Sequence, residues 1–346
     1  MTQSADVPQA TRAASPTGLV LMGLPDDGQV RVRRGAGLTG VSVTYPGTAD
    51  FLGDMPADIQ EWPRLLLPLP DARLEVPRLP VINHMGDADR YRQALEQATR
   101  VIERLGMPCF NHPAAVLRTT RDGMSTLLAG IPGVLMPQTI RISPRSVKDF
   151  PRAVAEHGLR YPVIARLTGT QSGRTQTRVE RAEDWDQVHG ISWREREAYL
   201  TQYMDCRDPD GLYRKQRIVF VGGRPLPNAL QAGTNWSMHG ADRLPEHWPS
   251  EIAWLETFET AALPPLQERL TEIARRVGLD LFGIDFALKR DGSMVVFEAN
   301  AAMSMISLSI LNKLPHLAAC RYAIRDELVA LLRDPARWLC APAEVV

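Results

Sequence analysis

Long apolar runs are missing from this 346-residue sequence, so it offers no membrane-spanning helix, and its first residues lack the apolar core of a secretory leader. Net charge is missing as well. Forty Lys and Arg face forty Asp and Glu, and the pI is about 7.1, so no chain-wide basic field draws nucleic acid or an anionic membrane. Lysine is scarce and stands only at Lys148, Lys215, Lys289 and Lys313; the other basic residues are Arg. Cysteine is scarce too. Cys109, Cys206, Cys320 and Cys340 are widely spaced and form no paired metal motif, which reads as a reduced, cytoplasmic protein with ordinary thiols. No internal repeat is evident. What the length does allow is a substantial core divided into two or three lobes, because single cores stop growing near ~250–300 residues.

The most informative stretch present is Phe282 to Met303, FGIDFALKRDGSMVVFEANAAM. Two short apolar runs, Gly283 to Leu288 and Ser293 to Ala299, are separated by Lys-Arg-Asp-Gly, and Asp-Gly is a strong signal for a tight reversal. A β-hairpin turning on Arg290 to Gly292 sets Asp285 roughly opposite Glu298, and a period of two puts Asn300 on the face of Glu298. Like charges facing each other across strands are destabilising unless a cation neutralises them, and an oxygen-only trio suits magnesium. The plainer reading is a solvated hairpin whose acids face water. A Glu-x-Asn pair closing an otherwise apolar strand argues against it.

These residues carry a resemblance. GIDF, a turn, then VVFEAN resembles the metal-binding hairpin of ATP-grasp ligases, glutathione synthetase-like in their ATP-binding domain. The resemblance implies an α/β (α+β) ATP-grasp fold preceded by an N-terminal α/β domain, with Mg2+, or Mn2+ in its place, on Asp285, Glu298 and Asn300. The division it implies is a disordered tail over 1–16, a pre-ATP-grasp domain over 17–113 and an ATP-grasp domain over 114–340. Within the last, 114–200 is a small phosphate-loop lobe and 201–340 a metal-binding lobe.

Residue by residue, the tail is too poor in apolar side chains to order itself. Gly18 to Gly23 reads as a first strand. Gly35, Gly37 and Gly40 match GxGxxG, but VSVTY continues as a strand, so a Gly-rich hairpin turn is the better account than a dinucleotide site. Residues 51–80 are Pro-rich and read as irregular. Leu79 to Asn83, Asp89 to Leu105 and Met107 to Asn111 read as strand, helix and strand, a parallel α/β unit with Gly106 as the helix stop. Asn111-His112-Pro113, Arg121-Asp122 and Pro137-Gln138-Thr139 resemble family landmarks. The family often has Lys where Gly123 stands, so a phosphate contact there would come from elsewhere, Arg121 being one candidate.

Ser146 to Glu156 reads as a helix and Tyr161 to Leu167 as a strand. The loop Thr168-Gly169-Thr170-Gln171-Ser172-Gly173-Arg174 follows, and small residues there let backbone N–H groups close over phosphate. It resembles the mobile phosphate-covering loop of the family, although such a loop alone is usually a plain hairpin. Many members carry Lys where Arg166 sits; Arg holds phosphate bidentately with a different geometry. Gln202, Tyr203 and Met204 correspond to the hinge that binds adenine. Arg217 matches a family Arg facing phosphate, and Lys215 stands where some members have a ribose-binding acid; a solvated edge Lys is an equal reading. Asn235, Trp236 and His239 fall where relatives line the substrate site, with His239 read first as structural. Pro264 to Val277 reads as an amphipathic helix and His316 to Leu332 as a closing helix.

The implied activity is ATP-dependent joining of a small-molecule or peptide carboxylate to an amine through an acyl-phosphate, with Arg166 and Arg217 stabilising charge. A phosphotransferase on the same fold and a non-catalytic nucleotide-binding module stay open. Homodimers are common in the family, and no residue here marks an interface.

Overall fold

Strands rich in Val, Ile and Leu alternate with short helices through the first third of the chain, and such strands bury both faces when they pair in parallel. The computed structural model describes residues 17–34, 41–49, 51–69, 78–170, 175–188, 190–193, 195–238 and 243–340. The tail 1–16 and the glycines at 35, 37 and 40 lie outside the described residues, as do Gln171, Ser172, Gly173, Arg174 and His239. The first third holds β1 (Leu19–Gly23), β2 (Arg31–Arg34), β3 (Val41–Thr44), α1 (Ala57–Gln60), β4 (Arg64–Leu67), β5 (Val81–Asn83), α2 (Arg92–Leu105) and β6 (Cys109–Phe110). β4, β1, β5 and β6 form a parallel sheet in that order. Helix α2 lays Ala94, Leu95, Ala98 and Ile102 on the core and stops at Gly106, whose φ of 59° suits a residue without Cβ. It begins at Arg92, three residues later than the periodicity suggested.

The Pro-rich stretch contributes more than irregular chain. It supplies α1 and β4, and Phe51, Leu52, Met55 and Ile59 are buried. Phe51, Met55 and Ile59 do recur at helical spacing, but Pro56 divides the run into a short turn and the four-residue α1, so no helix of ordinary length forms on that pattern.

The middle of the chain gives α3 (Pro113–Leu117), α4 (Arg121–Leu127), β7 (Val134–Leu135), β8 (Thr139–Ile142), α5 (Asp149–Glu156), β9 (Val163–Leu167), β10 (Thr177–Val179) and β11 (Ala198–Gln202). β10, β9, β11 and β8 make an antiparallel sheet. Phe150 of α5 backs it, its ring stacked on Trp185 at 5.1 Å and set edge-on to Trp193 at 4.8 Å. Thr120 caps α4, its hydroxyl accepting from the Gly123 N–H at 3.2 Å.

The last third contains β12 (Tyr213–Val221), β13 (Arg224–Gly233), α6 (Trp248–Glu256), α7 (Gln267–Val277), β14 (Leu281–Leu288), β15 (Met294–Asn300) and α8 (Ala318–Leu332). The sheet order is β13-β12-β14-β15-β7, and β7 reaches in from the middle of the chain to run parallel to β15. Alternation along the strands divides this sheet. Phe220 and Phe282, paired across β12 and β14 with rings 4.4 Å apart, share a core with Leu270, Ile273 and Val277 of α7. The opposite face carries Val219, Val221 and Leu281, which share a core with Ile324, Leu328 and Leu331 of α8. Further along that second face the same alternation delivers Lys215, Arg217, Asp285 and Ala287, and there the residues line an open cleft.

Asn111 joins the first sheet to the third. Its side chain takes the Leu281 N–H at 2.8 Å and donates to the Leu281 carbonyl at 2.8 Å, while its own N–H bonds Asp280 at 2.7 Å. Its φ of 53° is one that Asn tolerates better than most residues. No helix among the described residues is long and apolar enough to cross a membrane.

Candidate active site

β14 and β15 pair as a hairpin, closed by Gly292 at φ 79°. Leu288 pairs with Met294, and an uninterrupted ladder from there would set Asp285 against Phe297. A bulge between Asp285 and Phe286, with Phe297 as the extra residue of β15, shifts the register by one, so that Asp285 faces Glu298 and Gly283 faces Asn300. Phe297 and Glu298 thereby both come to line the cleft, a re-aiming of side chains that bulges provide beside functional sites.

Cations surround the two acids. Arg217 holds Asp285 bidentately, Nε to Oδ1 at 2.6 Å and Nη2 to Oδ2 at 2.8 Å, and Lys215 Nζ stands 3.1 Å from Oδ2. Arg121 Nη2 lies 2.7 Å from Glu298 Oε1, which also accepts from Asn300 Nδ2 at 2.7 Å. Asn300 Oδ1 accepts from the Ala302 N–H at 2.9 Å. Burial alone would raise both carboxyls. Arg217 and Lys215 overcome it at Asp285 and hold that group far below the ordinary carboxylate range, and Arg121 and Arg166 lower Glu298. Burial, reinforced by the like charge of Arg121, drops the Arg166 guanidinium to about 10.

Arg166 sits on β9 opposite Tyr199 and donates to the Thr170 carbonyl, fixing the start of the loop. The Thr170 hydroxyl donates to the Leu167 carbonyl at 2.7 Å. Gly169, at φ 61°, and Thr170 line a small pocket together with Arg121, Arg166, Glu298 and Asn300. Thr168 lies outside the lining; its N–H bonds the Glu197 carbonyl at 3.1 Å.

At the hinge, Gln202, Tyr203 and Met204 all line the cleft, which has a volume of about 1010 Å3. Met204 joins Ile164, Cys206, Ala287 and Phe297 to make an apolar slot between the antiparallel sheet and the hairpin. The Gln202 amide is turned to the backbone of Arg160, at 2.8 and 2.7 Å. Tyr203 stands edge-on to Trp236 at 5.9 Å, and Arg178 caps both rings at 4.6 and 5.6 Å. Trp236 lines the cleft; Asn235 instead spends its side-chain oxygen on the Ser237 N–H at 3.1 Å.

Two facing sheets and the acidic hairpin of the larger one form this cleft, and Gly169 and Thr170, after β9 of the smaller sheet, line the small pocket. Superposition decides what the arrangement is. The D-alanyl-alanine synthetase A of Vibrio cholerae O1 biovar eltor matches with a TM-score of 0.52 over 94% of this chain and 99% of that one, at 13% identity. The chain has the ATP-grasp fold. No known family model matches its sequence. Among curated proteins it is similar to β-citrylglutamate synthase B of Danio rerio, 27% identical over 215 residues, which is 60% of this chain and 48% of that protein. It is also similar to human N-acetylaspartylglutamate synthase A, 27% identical over 215 residues, 60% of this chain and 50% of that protein. The chain thus spans about half the length of the curated relatives it matches.

The ATP-grasp arrangement brings in residues that sequence reasoning did not single out. Arg178 reaches the hinge aromatics from β10. Arg141 of β8 bonds Asp89 at 2.7 Å, Asp122 at 3.0 Å and Glu197 at 2.6 Å, and the Tyr199 hydroxyl donates to Asp89 at 2.8 Å. This network ties the turn before α2, α4 and the antiparallel sheet together beside Arg166. In a chain so rich in Arg, no local signal separated Arg141 and Arg178 from solvated arginines.

Proposed function

We propose that this chain is a cytoplasmic, ATP-dependent carboxylate–amine ligase that forms an amide or peptide bond and releases ADP and phosphate. The observation that carries the reading is the grouping of Arg121, Arg166, Lys215 and Arg217 around Asp285 and Glu298, next to an apolar slot whose side chains suit a base. Such a surplus of cations suits a polyphosphate better than it suits the protein alone. The solved neighbour and the curated relatives are named for synthesising conjugates of amino acids, which agrees with the reading.

Asp285, Glu298 and Asn300 present only oxygen ligands apart from the Asn300 amide nitrogen, a donor set that fits magnesium, with manganese as a substitute. Bound there, the ion would supply charge neutralisation at the phosphates. The adenine would lie in the slot of Ile164, Met204, Ala287 and Phe297, with Tyr203 and Trp236 beside it. Arg166 and Arg217 would hold the phosphates while the substrate carboxylate oxygen forms a bond to the γ-phosphorus and the β–γ bridging oxygen leaves with ADP. Gly169 and Thr170 begin the loop that would exclude water from the acyl-phosphate. An amine then attacks the acyl carbon, and phosphate departs. Positioning and electrostatics do the work, so no nucleophilic side chain is required.

The test is ADP release with magnesium and ATP across amino acids, small peptides and amines, with the product weighed by mass spectrometry. Amine-dependent ADP release with an amide product supports the ligase. A phosphorylated product formed without any amine would replace it with a phosphotransferase, and ATP binding without ADP formation under every combination would leave a nucleotide-binding module.

A further inference from the structure

The sheet order places β13 on the far side of β12 from Asp285, and the cleft continues there to Asn228, Gln231, Arg243 and Arg321. A second bulge, in the pairing of β12 with β13, falls at Asn228: Arg217 pairs with Ala229 and Ile218 with Pro227. Asn228 is fully buried, donates from Nδ2 to the Met305 carbonyl at 2.6 Å, and leaves Oδ1 without a partner. Arg321 of α8 donates to the same carbonyl. It is 4% exposed, its Nε has no partner, and no carboxylate pairs with it among the described residues.

That is an uncompensated buried charge. A guanidinium taken out of water without an anion is costly, and proteins seldom keep one unless something completes it. Arg243 adds a second. One of its terminal nitrogens is held by the buried Glu251 at 2.5 Å, and its Nε also lacks a partner. Glu251 is itself shared with His316 at 2.9 Å and the Leu230 N–H at 3.0 Å, so it cannot balance both arginines. The like charges of Arg217 and Arg243 add to burial in lowering Arg321 to about 10, a strain that an incoming anion would relieve.

We propose that Arg321, Arg243 and Asn228 form a subsite for a carboxylate that one of the two substrates keeps through the reaction, an inference that rests on the ligase reading. The free carbonyl oxygens of Asn228 and Gln231 beside the arginines accept from an N–H or O–H of the same molecule. The substrate class is therefore an amino acid or a dicarboxylic acid rather than a simple monocarboxylate or a plain amine. The retained carboxylate comes either from the acid, as a second carboxyl group, or from the amine, as the carboxyl of an amino acid.

Calorimetric titration of the whole chain, saturated with magnesium and a non-hydrolysable ATP analogue, separates these sources. Glutarate against butyrate probes the acid, and L-alanine against L-alaninamide probes the amine. The inference predicts at least about tenfold tighter binding of the carboxylate-bearing member in one pair. Arg321→Gln and Arg243→Gln should erase that preference while the analogue binds within about threefold of wild type. Should Arg321→Gln fail to fold by circular dichroism, Asn228→Asp takes its place, since an added anion in the subsite must repel the ligand. Equal binding within both pairs, or a preference that survives the substitutions, overturns the subsite. Failure of the wild type to bind the analogue at all is read on the same titration and counts against the nucleotide reading instead.

Discussion

Asp285 and Glu298 face each other across one hairpin, yet their charges are balanced from different places. Asp285 takes both partners, Lys215 and Arg217, from the adjacent strand of its own sheet, and its side chain is 5% exposed. Glu298 is 24% exposed and is balanced by Arg121 at the start of α4, with Arg166 reaching across from the antiparallel sheet. One acid is neutralised by the neighbouring strand of its own sheet, the other by side chains from α4 and the antiparallel sheet. The first pairing also braces the larger sheet, and the second makes the electrostatics of the site depend on how α4 and the antiparallel sheet sit against the hairpin.

The largest effect should come from removing both charges at once. An Asp285→Asn/Glu298→Gln variant should lose substrate-dependent ADP release by about a thousandfold or more, measured by a coupled ADP assay. Stability should then separate the two acids. Asp285→Asn strands Arg217 and Lys215 in a buried setting and should cost about 3–5 kcal/mol in urea unfolding, whereas Glu298→Gln should cost less than half as much, because water still reaches it. Equal losses would break the comparison. Arg121→Met should spare the fold and lower ADP release by about ten- to a hundredfold, since Arg166 remains to face the phosphates.

Acid unfolding sharpens the same contrast. Both carboxyls titrate below their ordinary values in the folded chain, so the unfolded chain binds protons first as pH falls. Their contribution is therefore full above the unfolded carboxylate range, near pH ~4, and is lost as pH drops through the folded values. Unfolding midpoints measured from pH 6 to 3 should fall at the acid end, and Asp285→Asn should flatten that fall more than Glu298→Gln. The smallest effect belongs to Gln202→Ala, which unties the hinge from the Arg160 backbone and should shift stability by only about 1 kcal/mol.

The hairpin was readable because its signals are local: an Asp-Gly turn, alternating apolar residues and Glu-x-Asn within a few positions. Even there the sequence placed Asp285 only roughly opposite Glu298, since nothing in VVFEAN announces that Phe297 bulges out of the ladder. Helices α2 and α7 were legible from their apolar spacing and glycine stops. The distal end of the cleft was not. Asn228, Arg243 and Arg321 lie on β13, a following loop and α8; the Met305 carbonyl joins Asn228 to Arg321, and Glu251 of α6 holds Arg243. Residues 51–69 failed for a related reason, because Phe51 and Ile59 find their partners in α8 and the first sheet rather than nearby in sequence.

The central claim is that the acidic hairpin and the surrounding cations form a magnesium–ATP site. Calorimetric titration of ATP into wild type and into the Asp285→Asn/Glu298→Gln variant, each with and without magnesium, tests it most directly. The account predicts saturable binding by wild type that strengthens with magnesium, and loss of that magnesium dependence in the variant. Identical, metal-independent curves for the two proteins would contradict it.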